Sequence, residues 1–418
     1  MKMLQTKQKP FEIRFDRVVR AFKDVKANKG SYGVDEITLE AYEENLQGNL
    51  YKLWNRMSSG SYFPKPVKQV EIPKKGGGKR PLGIPAIEDR VAQAIVKRDL
   101  EIILEPVFHE DSYGYRHKKG VEDAVEKAKV RCWEYRWAVD LDIRSFFEDI
   151  PHDLLMKAVR KHTDCKWHLL YIERWLKAPV LQVDGTLKDK TKGTPQGSVV
   201  SPVLANLFLH YCMDEWMKRN VPECPFERYA DDGLVHCMTE NQAKKVKGKL
   251  EERFRQCGLT LHPEKTKVID CRTLKGVGGK THREFDFLGF TFRRRGARDK
   301  YGVTFTSFLP AISKKSAKSM REKVKEVKPL QVTDSILKDI AEELNPKIRG
   351  WIGSYGKFYP SELKRHLQYI NKRLASWAKR KFKRFKGSQW NALKWLGRLA
   401  KEAPTLFEHW RYGVIPCV

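Results

Sequence analysis

The chain is short of acidic residues, of paired cysteines and of long apolar runs, and each shortage removes a class of protein. Its 418 residues include 52 Asp and Glu against 82 Lys and Arg, a formal net charge of +30. Such an excess calls for a polyanionic partner, nucleic acid before an anionic membrane. The eight cysteines, at 132, 165, 212, 224, 237, 257, 271 and 417, form no C-x-x-C pair. Neither a zinc knuckle nor a disulfide scaffold is expected from that spacing, and reduced thiols in a cytoplasmic protein are. The longest apolar stretch, Val199 to Met213, is interrupted by Ser201, Pro202, Asn206 and His210, so no transmembrane helix and no membrane partner are expected. Met1 to Phe15 carry charges with no apolar segment behind them, unlike a secretory signal. No repeat of fixed period is visible. The length suits roughly two to four domains.

Alternation of bulky apolar residues over Trp137 to Ile143 predicts a strand with Asp140 and Asp142 on one face. Phe226 to Met238 reads as strand, tight turn and strand, with Asp231-Asp232-Gly233 at the turn. Val121 to Val130 and Ala243 to Phe254 have helical patterns, so an α+β body is expected. Glycine-rich loops occur at 74–80, where Lys74 and Arg80 flank Gly76-Gly77-Gly78, and at 276–279. Thr194-Pro195-Gln196-Gly197 leads into a helical run, with Ser201 as the expected cap and Pro202 as its first residue. After about 310 the strands give out. From there to 418, 25 Lys and Arg face 9 Asp and Glu, so a quarter of the chain carries over half of the net charge. Leu363, Leu367, Ile370, Leu374 and Trp377 mark an amphipathic helix capped by Ser361, with Arg365, Lys372, Lys379 and Lys386 along another face. Most of the tryptophans at 351, 377, 390, 395 and 410 are expected to be core anchors.

Adjacent acids at a turn repel unless something positive lies between them and a further acid. A pair of divalent ions meets that need, and carboxylates suit Mg²⁺. Two ions about 4 Å apart clamp the attacking and leaving oxygens of a phosphoryl displacement. The order of the three features is specific: Asp142-Ile143-Arg144-Ser145-Phe146-Phe147, then the Thr-Pro-Gln-Gly loop, then Tyr229-Ala230-Asp231-Asp232. In that order the chain resembles reverse transcriptases, and most closely the maturase proteins encoded by bacterial group II introns. Ala27 to Asp35 resembles their N-terminal extension, Val70 to Lys74 and Arg80 to Pro85 their fingers, and Ser112 to Arg116 the insertion of non-retroviral members. His262 to Lys267 and Phe287 to Phe290 resemble the last palm motifs, and Gly350-Trp351-Ile352 the maturase segment.

The resemblance implies a right-hand polymerase fold, fingers and palm with antiparallel sheet, followed by an all-helical thumb or maturase region. It implies fingers and extension over 1–135, palm over 136–305 with the catalytic domain as a whole at 55–295, thumb over 306–385, and a short basic DNA-binding segment over 386–418 without an HNH nuclease. By the match, Asp142, Asp231 and Asp232 hold two Mg²⁺ ions, with Mn²⁺ as an alternative and Asp140 as a rival to Asp142. Lys265 would protonate the leaving pyrophosphate. Lys74, Arg80, Phe147 and Gln196 would bind the dNTP, Phe147 as the steric gate against ribose, with Phe146 turned to the core. Asn28, Gly30, Arg116, Pro195, Gly197 and Tyr229 would contact template or primer; Arg365, Lys372, Lys379 and Lys383 would contact RNA or DNA backbone. The implied partners are intron RNA, an RNA template, a DNA primer or target and dNTPs, in the bacterial cytoplasm or nucleoid. Two other readings are a splicing cofactor whose polymerase is idle, and a domesticated or defence reverse transcriptase without an intron.

Overall fold

The strand Trp137–Leu141 is covered on both faces, with Asp140 alone half-buried, because it lies inside a four-stranded sheet. The order across that sheet is Lys267–Asp270, Trp137–Leu141, Asp232–Cys237, Phe226–Tyr229. The structure is a computed structural model that describes residues 9–73, 78–272, 282–298 and 301–416. Two compact units emerge. One comprises the chain up to Ala124 together with Val139–Val268; the other comprises Val125–Ala138 together with residues from Ile269 onward. Both cut across the linear boundaries expected at 135/136 and 305/306.

In the first unit, Val67–Pro73 pairs antiparallel with Lys79–Ile84 and parallel with Val180–Leu181, which pairs with Leu187–Lys188. Helices Phe15–Asn28 and Ile87–Leu104 supply much of the core, through Val18, Ala21, Phe22 and Val25 on one and Val91, Ala92, Ile95 and Val96 on the other. The helix Ser201–Leu209 continues through a π-helical turn, His210–Asp214, into Glu215–Asn220. Its N-cap is Val200, so Ser201 and Pro202 are the first helical residues, one position earlier than the sequence suggests.

In the second unit, the antiparallel strands Glu284–Phe287, Phe290–Arg298 and Thr304–Ile312 precede an all-helical region. Phe285 stacks on Phe292 at 4.7 Å between ring centres. The helix Pro360–Lys381 starts from an N-cap at Tyr359 and not at Ser361, with Pro360 in the first turn, where its missing N–H costs nothing. Leu363, Leu367, Ile370, Leu374 and Trp377 are all buried in one core with Phe385, Leu396, Phe407, Trp410 and Val414. The boundary expected at 385/386 therefore shows no break in packing. At the centre, Asn371 Oδ1 accepts from Trp410 Nε1 at 2.9 Å and lies 2.8 Å from His409 Nε2. Burial holds His409 down to about 3, so it stays neutral. Trp351, Trp377 and Trp410 are buried, whereas Trp390 is 53% exposed with Lys394 Nζ 4.8 Å from its ring centre. Among the described residues no helix is long and apolar enough to cross a membrane.

Candidate active site

Register fixes the hairpin that carries the adjacent acids. Tyr229 pairs with Asp232 and Arg228 with Gly233, which leaves Ala230 and Asp231 as a two-residue turn. The turn thus precedes the Asp231-Asp232-Gly233 position expected from sequence; Gly233 is already in the strand. Ala230 has φ 56°, the left-handed region that a two-residue hairpin of this kind requires at its first central position. For alanine that conformation persists only where neighbours enforce it. Gly114 is one of them, since a Cβ there would stand 2.3 Å from the Ala230 nitrogen.

Asp142 lies at a break between Trp137–Leu141 and Ile143–Arg144. The Asp142 carbonyl accepts from the His262 N–H at 2.7 Å, which ties this segment to the His262-Pro263-Glu264-Lys265 loop. Lys265 Nζ lies 3.4 and 3.3 Å from the two Asp142 carboxylate oxygens, a partly exposed ion pair. Burial raises the Asp231 carboxyl above its ordinary range, and the Asp142 charge adds to that rise; Arg80 and Arg228 oppose it. Asp142, Asp231 and Arg80 therefore share one electrostatic neighbourhood. Asp232, the strand residue after the turn, is exposed.

Several expected residues gather near this point. Arg80 Nε donates to Gln196 Oε1 at 2.7 Å, and the Gly83 N–H donates to the Gln196 carbonyl at 2.6 Å. Gly197 has φ 106°, and a Cβ on it would come within 2.4 Å of the Gly83 oxygen, so the backbone it lets approach is that of the fingers strand. Pro195 is buried and Tyr229 half-buried. Asn28, Gly30 and Gly197 line a cavity of about 690 Å³ with Leu82, Gly83 and Arg90. Phe147 is buried and meets Phe146 edge-on at 5.1 Å. Both belong to the short helix Phe146–Asp149, after Ser145 has taken φ 45°, so the strand alternation that would turn Phe146 away from Phe147 does not extend to them. Lys74 lies outside the described residues.

Two expectations are corrected. Arg116 does not offer its charge to a phosphate: its side chain is 6% exposed and donates to Glu105 at 2.8 Å and to the His109 and Ser112 carbonyls at 2.6 and 2.7 Å. Lys386 and Lys383 lie beyond the end of the helix at Lys381, so the stripe on that helix is Arg365, Lys372 and Lys379. Sequence reasoning also missed Tyr115. It is 54% exposed and holds φ 57°, and partial desolvation together with the Asp231 charge raises its hydroxyl pKa. Its left-handed position after Gly114 is the signal that could have singled it out.

The donor chemistry around Asp231 is carboxylate oxygen, which suits a hard divalent cation. The repulsion that raises the Asp231 carboxyl is relieved by such an ion. Among the described residues no group of three or more His, Cys, Asp or Glu is closed to the spacing of a formed metal centre. The residues fit the ion in kind.

Residues 72–292 match the reverse transcriptase (RNA-dependent DNA polymerase) family, and residues 317–396 match the group II intron maturase-specific domain. The chain is similar to Protein YkfC of Escherichia coli, 36% identical over 318 residues that are 66% of this chain and 79% of that protein. It is similar to the group II intron-encoded protein LtrA of Lactococcus lactis, 35% identical over 202 residues, 47% of this chain and 33% of LtrA. It is also similar to the COX1/OXI3 intron 1 protein of Saccharomyces cerevisiae, 24% identical over 310 residues, 62% of this chain and 37% of that protein. The chain thus spans about a third of the two intron proteins and most of YkfC. Reverse transcriptases generally use divalent metal ions, and the acids gathered around the hairpin are of the kind that holds them. The chain belongs to the reverse transcriptase family of RNA-dependent DNA polymerases, with a maturase-specific segment of the group II intron type behind its catalytic domain.

Proposed function

We propose that this protein copies RNA into DNA for a group II intron, and that its helical region binds the intron RNA to assist splicing and to deliver it during target-primed retrohoming. The observation that carries the reading is the half-buried Asp231 at a strained turn, under the charge of Asp142 on one side and Arg80 on the other. Asp142, Asp231 and Asp232 would hold two Mg²⁺ ions, or Mn²⁺ in their place. Divalent ions held there would supply acidification of a primer 3′-hydroxyl and neutralisation of charge on the α-phosphate. Arg80, fixed by Gln196, orients the triphosphate; a guanidinium grips phosphate oxygens in pairs, which a point charge cannot. Phe147, buried at the start of its short helix, limits room at the sugar. Lys265 exchanges its partner Asp142 for the leaving pyrophosphate and supplies a proton. Pro195, Gly197, Asn28, Gly30 and Tyr229 line the template and primer path. Arg365, Lys372, Lys379 and Lys383 neutralise backbone phosphates of the RNA or of target DNA, which makes binding salt-sensitive.

Extension of oligo(dT) on poly(rA) with Mg²⁺ tests the reading. The parent protein should extend the primer, and Asp231→Asn should abolish extension while its melting temperature stays within a few degrees. A parent that extends nothing, with RNA binding and intron splicing intact, would favour the splicing-cofactor reading instead.

A further inference from the structure

Arg228 is a cation inside a strand, 1% exposed, two residues before the turn. All five of its guanidinium hydrogens are used. Nε donates to Asp214 Oδ1 at 2.7 Å and Nη2 to Asp214 Oδ2 at 2.6 Å, a two-pronged pair in which Asp214 is fully buried. Nη2 also donates to Ser112 Oγ at 2.8 Å. Nη1 donates to Asn206 Oδ1 at 3.0 Å and to the carbonyl of Ala230 at 3.1 Å. Asn206 in turn donates to the Gly114 carbonyl at 2.6 Å, and Gly114 is the residue on which Ala230 rests.

Asp214 is delivered by the π-helical turn His210–Asp214. Such turns are rare and concentrate at functional sites, because the extra residue re-aims the side chains that follow. The main chain of the hairpin is gripped as well: the Arg228 N–H donates to the Asp111 carbonyl at 2.9 Å, and the Tyr113 N–H donates to the Arg228 carbonyl at 2.7 Å. A buried ion pair gains little stability over apolar packing of the same shape, so stability is a poor reason for this one. What apolar packing cannot do is hold a carbonyl. The carbonyl held here belongs to Ala230, whose left-handed φ sets the direction of the next residue, Asp231.

We infer that Arg228 and Asp214 are positioning residues for the metal-binding acids: the guanidinium clamps the Ala230 peptide so that Asp231 is presented toward Asp142. The inference rests on the proposal that these acids bind divalent ions.

The test uses the full chain with Arg228→Lys and Asp214→Asn, beside Asp231→Asn as reference. Mn²⁺ binding is followed by electron paramagnetic resonance, the Mg²⁺ dependence of primer extension gives its midpoint, and amide exchange at residues 230–233 is read without metal. Arg228→Lys should weaken the Mn²⁺ binding that Asp231→Asn abolishes by roughly tenfold or more, the usual cost of losing support behind a metal ligand. The Mg²⁺ midpoint should rise in parallel, with the KM for primer–template unchanged, and exchange at 230–233 should quicken. A role in stability alone predicts a lower melting temperature with affinity, midpoint and exchange as in the parent, and that result overturns the inference. If both variants fail to fold, Ser112→Ala removes a single acceptor; it should shift the midpoint in the same direction by a smaller factor, and no shift overturns the inference. If the parent binds no Mn²⁺ at Asp231, the proposed polymerase chemistry fails, and the exchange measurement still decides whether Arg228 holds the turn.

Discussion

The hairpin unit and the helical region treat their charges in opposite ways. In the first, polar and ionisable side chains are buried beside one another: Arg228 against Asp214, and His236 Nε2 at 2.6 Å from Glu227. In the second, the buried side chains are almost all apolar, gathered around the single polar hub of Asn371, while Arg365, Lys372 and Lys383 stay exposed. The difference follows from what each must do. Chemistry at an α-phosphate needs a few carboxylates held in fixed directions, and a fixed direction requires buried, fully bonded support. A polyanion backbone needs many cations at roughly the right spacing, and solvated side chains on a helix supply those without support.

That contrast can be broken first in the core of the helical region. Trp377→Ala removes a side chain that is 1% exposed and donates to the Val332 carbonyl and Ser335 at 3.1 Å. It should cost about 3–5 kcal/mol, seen as early melting in chemical denaturation. A loss under about 1 kcal/mol would mean that the shared core from Ile312 to Val414 is looser than its burial indicates. A smaller effect is expected from charge alone. Replacing Arg365, Lys372 and Lys379 with glutamine should leave the melting temperature in place and reduce the slope of log affinity against log salt for single-stranded RNA by about 2. An unchanged slope would remove this stripe from the RNA interface.

The smallest effect sharpens the comparison from the buried-charge side. Asp89 is 2% exposed, accepts from the Tyr62 hydroxyl and from the Lys65 N–H, and burial pushes its carboxyl up to about 7. In the unfolded chain the same carboxyl titrates near 4. Between those values the folded state keeps a proton that the unfolded state has released, so stability falls as pH rises from about 4 to about 7. Asp89→Asn should flatten that part of the stability curve relative to the parent. Parallel curves would show that the ordinary value survives burial.

The acids of the site were legible because they lie in short local patterns. An acidic pair between two apolar runs needs an explanation at the level of sequence, and so does an acid five residues before Phe147. Arg228 was not legible, since its side-chain acceptors lie 14, 22 and 116 residues away and a lone arginine inside a strand resembles any other charge. Arg116 misled for the converse reason: the resemblance of Ser112 to Arg116 implied a template or primer contact, and only the folded chain reveals the carbonyls that use its charge. Two local rules failed by extrapolation, although Phe146 is buried as expected. One continued a strand past Ser145, and the other continued a period of seven past the end of the helix at Lys381. The helix stripe from Leu363 to Trp377 was read correctly, because burial of one face is a local consequence of period and composition.

The account stands on acids from separate segments sharing divalent ions beside a primer end. Anomalous diffraction from crystals of the protein with primer–template, a non-hydrolysable dNTP and Mn²⁺ measures that directly. Mn²⁺ peaks bound jointly by Asp142 and Asp231 are the predicted result. Peaks that leave either carboxylate uncoordinated, in a complex where the primer and nucleotide are seated, would contradict it.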